Sequence, residues 1–117
     1  MLEKGDIRIR MLVEEANLGG TELDIGEIFL PTSYGQGGGH HHGRVEIFYV
    51  LEGRLGHTVN GHKHVLEPGM VGIVRPEDEV AHSIESSSPV RALVIWAPGG
   101  EANRLTEEFG YTARPIL

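Results

Sequence analysis

Hydrophobic positions along this chain come in short runs that alternate with polar residues and are cut by Gly, Pro and Asn, the signature of β-strands. The pattern predicts strands over Ile7 to Val13, Leu23 to Leu30, Val45 to Leu51 and Leu55 to Val59. Further strands are expected over His62 to Leu66, Val71 to Val74, His82 to Ile84 and Val90 to Trp96. Asn60-Gly61 is the clearest turn, since both residues tolerate the positive φ of a two-residue type I′ hairpin. That turn sets Val59 opposite His62, His57 opposite His64, and Leu55 opposite Leu66. The His57 and His64 face should be the inner one, because Arg54, Thr58, Lys63 and Glu67 occupy the other. One helix is expected over Glu101 to Phe109, with Ala102, Leu105 and Phe109 on one side and Gly110 as its stop. About eight short strands point to an all-β barrel or sandwich.

Length and composition narrow the picture. At 117 residues the chain is expected to form one domain, residues 1–117, that folds without staples. It has no cysteine, which excludes disulfides, thiolate-bound zinc, iron–sulfur clusters and thiol catalysis. A net charge of −7 argues against a nucleic-acid partner, which would require a basic face. No apolar run nears the ~20 residues of a membrane helix, and no secretory leader is evident, so a cytoplasmic protein without a membrane partner is expected. Glycine, at 17 residues, is about twice as frequent as usual. Six of the seven histidines fall between positions 40 and 64, and that clustering suggests a site.

The segment that carries chemistry runs Gly39-His40-His41-His42-Gly43-Arg44-Val45-Glu46. Side chains two apart share a face of a strand, so His40, His42, Glu46 and Phe48 fall on one side and His41 on the other. Two imidazoles and a carboxylate suit Fe, Mn, Co, Ni, Cu or Zn without selecting among them. Phe48 would form an apolar wall beside such an ion or plain core. His57 and His64, facing each other among apolar residues, are candidates for the wall of a substrate pocket. Trp96 and Pro98-Gly99-Gly100 read as packing and a turn, and Glu77-Asp78-Glu79 as a solvated loop.

The spacing His40-x-His42-x3-Glu46-x6-Gly53 resembles the first motif of the cupins, a family of small jelly-roll barrels. A second cupin-like motif reads Gly69-x6-Pro76-x-Asp78-x3-His82-x3-Ser86. Tyr34 stands where the first motif opens with Gly. In the second, one extra residue precedes Pro76 and another precedes His82, while Asp78 and Ser86 replace a Gly and an Asn. The motifs cover 34–53 and 69–86, with fifteen residues between Gly53 and Gly69, as in small microbial cupins.

The resemblance implies an all-β double-stranded β-helix (jelly-roll) cupin barrel with one short C-terminal helix. It implies one divalent transition metal (Fe, Mn, Ni, Co, Cu or Zn) held by His40, His42, Glu46 and His82, with Glu46 also able to serve as a catalytic base. The last third of the chain is loosely similar to monocupins of the quercetin-dioxygenase type, implying a dioxygenase-like oxidoreductase acting on a small organic molecule. A non-catalytic module that binds or senses a small ligand is the alternative, and a sugar isomerase or epimerase a third. Family practice also implies a homodimer, often formed through N-terminal strands, with Ile7 to Val13 the candidate here.

Overall fold

The structure is a computed structural model that describes residues 1–14, 22–34, 36–40, 44–108 and 110–113, with 36–40 and residues 102, 103 and 108 described by backbone alone. Strands β1 (Leu2–Lys4), β2 (Ile7–Val13) and β3 (Asp24–Leu30) open the chain. A single 3-10 turn, Thr32–Tyr34, leads into β4 (Gln36–His40) and β5 (Val45–Glu52). There follow β6 (Leu55–Val59), β7 (His62–Leu66), β8 (Val71–Val74), β9 (Glu79–Ile84) and β10 (Val90–Ala97). Helix α1 (Glu101–Glu108) and the short β11 (Thr112–Ala113) complete it.

All pairings are antiparallel. One sheet runs β11-β1-β2-β3-β10-β5-β8 and the other β4-β9-β6-β7, a jelly-roll arrangement with its core between the two. Residues of alternating burial line that core: Phe48 and Val50 from β5, Ala92, Val94 and Trp96 from β10, and Leu55 from β6. Among the described residues, no helix is long and apolar enough to cross a membrane.

Every expected strand is present within a few residues of its expected bounds. The β6–β7 hairpin has the expected register, with Asn60 at φ 51° and Gly61 at φ 83°. Three strands were not expected from the pattern. β4 is Gln-Gly-Gly-Gly-His, whose glycines carry no strand signal, and β1 and β11 are too short to show a period. The helix ends at Glu108; Phe109 lies outside the described residues.

The hairpin's inner face is only half as expected. Leu55, His57 and Leu66 are buried, but His64 is exposed because β7 is the edge of its sheet; His62 is exposed too, in keeping with its place beside the turn. The strand Ile7–Val13 lies between β1 and β3, so it offers no open edge for sheet extension.

A polar clasp ties the hairpin tip to the loop before β9. The Asn60 amide donates to Asp78 Oδ1 at 3.0 Å, its oxygen accepts from the Glu79 N–H at 2.9 Å, and the Arg75 N–H donates to Asp78 Oδ2 at 2.9 Å. Asp78 is thus a fastener rather than merely a solvated loop charge. The Arg75 N–H first, and the Asn60 amide second, hold its carboxyl below the ordinary 3.8. A depressed folded pKa means the stabilisation is complete above about pH 4 and is lost as pH falls further. The urea midpoint of Asp78→Ala should therefore sit below that of the wild type at pH 5–7, with the gap closing towards pH 2.5. A gap that holds constant to pH 2.5 would contradict the clasp.

Candidate metal centre

Alternation along β5 turns Glu46 and Phe48 inward, and Glu46 is only 3% exposed. Trp96 stands directly opposite Glu46 on β10, and its indole N–H donates to Glu46 Oε2 at 2.8 Å. The other carboxylate oxygen, Oε1, lies 3.9 Å from Nε2 of His82, which projects from the facing sheet. The site is thus a carboxylate from one sheet set against an imidazole from the other, inside the molecule.

His57 joins them. It pairs with His82 across β6 and β9, with ring centroids 5.4 Å apart. Phe48 packs against both imidazoles, 4.7 Å from His82 and 5.8 Å from His57. Nε2 of His57 is buried and has no hydrogen-bond partner among the described residues. Burial first, and the nearby His64 second, lower its pKa, so the ring is held neutral. His64 itself is exposed beside His57 on the edge strand.

Gly72 makes room for this packing. It pairs with Phe48 on β8, and a Cβ there would stand 2.9 Å from Nδ1 and Cε1 of His57. Any side chain at position 72 must displace both the imidazole and Leu66 Cδ1, 2.8 Å away.

Electrostatics single out Glu46. Burial pushes its pKa up to about 8, against the lowering effect of the Trp96 N–H; the Glu101 charge adds to the rise and Arg104 opposes it. A carboxylate so costly to ionise alone would be stabilised by a cation bound beside it, which would invert the local balance.

Helix α1 is anchored close by. Buried Glu101 meets Arg44 Nε and Arg104 Nη1, each at 3.4 Å, and Arg44 donates to the Gly99 carbonyl at 3.1 Å. Arg44 lies two residues before Glu46, so the helix start is tied to the strand that carries the carboxylate. Tyr34 and Tyr111 lie within the field of Glu46, and burial raises both phenols, Tyr111 to about 12, so both remain protonated donors.

Of the four expected ligands, the structure brings Glu46 and His82 together. His40 ends β4, opposite Glu79 in register, with its side chain outside the description, and His42 lies outside the described residues. Among the described residues, no three metal-binding side chains converge. The donors that are described fit a metal. Adjacent ligands of an ion with bonds of ~2.1 Å lie ~3.0–3.4 Å apart, so a small side-chain closure from 3.9 Å would bring Glu46 Oε1 and His82 Nε2 onto one ion. Trp96, Gly72 and the Arg44–Glu101–Arg104 cluster were not legible as site residues, since each acts through cross-strand or helix–strand packing. The one available signal was Gly72, a glycine inside an otherwise β-branched run.

A two-sheet jelly roll with a buried carboxylate and two imidazoles between its sheets defines a small β-barrel protein with a polar interior site. A family model described as "Cupin domain" matches residues 29–96, and the chain belongs to that family. Among curated proteins, none matches it. Solved structures share the fold. Ectoine synthase from P. lautus superposes with a TM-score of 0.77 at 17% identity, covering 98% of this chain and 82% of that one. The Schizosaccharomyces pombe Cnp3 cupin domain gives 0.72 at 16%, covering 99% and 79%. KdgF from Halomonas sp. gives 0.71 at 13%, covering 88% and 90%.

The hydrogen bond from Trp96 can be tested directly. Trp96→Phe keeps an aromatic ring in the core but removes the donor to Glu46 Oε2. Metal affinity should fall ~10–100-fold, as when other partners that orient a metal ligand are lost, measured by competition with a chromophoric chelator. Unchanged affinity in a folded variant would show that the indole only packs.

Proposed function

We propose that this cupin is a metalloenzyme that binds one divalent transition metal through His40, His42, Glu46 and His82 and oxidises a small organic substrate in a dioxygenase-like reaction. The observation that carries this reading is the buried pair of Glu46 Oε1 and His82 Nε2, 3.9 Å apart and contributed by opposite sheets. When bound, such a metal supplies Lewis-acid polarisation of a substrate oxygen or a redox centre for dioxygen.

The chain's own groups have separable tasks. Trp96 holds Oε2 of Glu46, and Oε1, which faces His82, is assigned as the ligating or proton-accepting atom. Phe48 covers one side of His82 and His57 and keeps bulk water off them. The neutral ring of His57, with Nε2 buried among these groups, can donate a hydrogen bond to a substrate oxygen or accept one from a hydroxyl. Exposed His64 lies on the edge strand, where it can meet a substrate arriving from solvent.

The test is metal content and oxygen consumption. Protein purified without added metal, or reloaded with Fe(II), Mn, Ni, Co, Cu or Zn, should hold about one equivalent. His42→Ala and His82→Ala should lose most of it. The loaded protein should take up oxygen with one member of a panel of enols, flavonols and β-diketones. Folded wild-type protein that takes up none of these metals would overturn the reading. Tight metal binding with no turnover of that panel would leave a ligand-binding module.

A further inference from the structure

Histidines gather on one face of the smaller sheet, and the register sets three of them in a line. His64 on β7 pairs with His57 on β6, and His57 pairs in turn with His82 on β9. Directly opposed residues of antiparallel strands turn their side chains to the same face, so the imidazoles lie side by side across three strands. The rows on either side are mostly apolar. Leu66, Leu55 and Ile84 form one; Val59 and Val80 form the other, with His62 at its solvent end. A single polar lane thus crosses an apolar inner face.

The lane runs from solvent to the candidate metal centre. His64 is exposed on the edge strand, whereas His57 is 2% exposed. The ring of His82 follows, 5.4 Å from that of His57, and its Nε2 lies 3.9 Å from Glu46 Oε1. Nε2 of His57 is buried without a hydrogen-bond partner among the described residues. An unpaired buried nitrogen is costly, so a core role as a hydrogen-bonded link does not account for it.

At the solvent end, His62 and His64 share a face because they are two residues apart on a strand. Both are exposed, and the rise of an extended strand sets their Cα atoms ~6.8 Å apart, within reach of one ion. Lys63 between them turns to the other face, where its ammonium lies 3.0 Å from Glu85. No cationic side chain of β7 therefore stands beside the pair, and the chain's net charge of −7 favours an approaching cation.

We propose that this lane is the entry route of the divalent metal, an inference that rests on the interior site proposed above. His62 and His64 capture the ion as a surface chelate; His57 accepts it next and delivers it to His82 and Glu46. Every station before Glu46 offers a neutral nitrogen and none a carboxylate. That donor set suits a transition ion rather than Ca(II) or Mg(II). Each transfer exchanges one metal–nitrogen bond for another, and the carboxylate at the end retains the ion.

Equilibrium titration of the metal-free full chain with Ni(II), and stopped-flow mixing of the two, test this. Wild-type protein should bind one tight equivalent inside and a second, weaker one at the surface. His62→Ala and His64→Ala, both at exposed positions, should abolish the weaker class and keep the tight one. They should also slow its loading roughly 10-fold, because capture raises the local concentration of the ion. His57→Gln should slow loading while the weaker class persists, and Lys63→Ala should alter neither. A loading rate unchanged in His62→Ala, His64→Ala and His57→Gln, with the tight equivalent still bound, would overturn the route and leave the interior site standing. Loss of the tight equivalent in His64→Ala would also overturn it, by making that residue a permanent ligand. Wild-type protein with no tight equivalent would remove the interior site and the route together.

Discussion

A carboxylate sunk into an apolar interior is the constraint around which this molecule is arranged. Glu46 sits between two sheets, where ionisation alone is so unfavourable that its pKa rises to about 8. The Trp96 indole answers one oxygen and His82 faces the other. Trp96 and Glu46 are cross-strand neighbours, so the register of β5 and β10 decides whether that bond exists. A one-residue slip would turn Glu46 out to solvent and the whole arrangement would be lost.

The rest of the interior accommodates that carboxylate. Phe48, one turn of the pleat along, fills the space against the two imidazoles. Gly72 lets the His57 ring lie on bare backbone. The helix contributes through Glu101, whose contact with Arg44 links its start to the strand that carries Glu46. Packing, hydrogen bonding and charge therefore meet at one point, as expected where a fold is shaped by a site.

Much of this was legible in the sequence because two periods are strong. Strand alternation and the Asn60-Gly61 turn located eight strands and one hairpin register, and strand parity placed Glu46 on the inward face. β4 stayed hidden because three glycines carry no side-chain pattern, although the backbone there pairs regularly with β9. His64 was read as buried because alternation gives the face of a residue but not whether its strand lies at a sheet edge. Trp96 was read as packing because its partner lies 50 residues away, and no local pattern records such a contact.

The most direct measurement is an anomalous difference map from crystals of metal-loaded protein, collected at the absorption edge of the loaded metal. The account expects one strong peak inside the barrel, within about 2.1 Å of both Glu46 Oε1 and His82 Nε2. A loaded crystal with no peak between those atoms, or with its peak elsewhere, would contradict it.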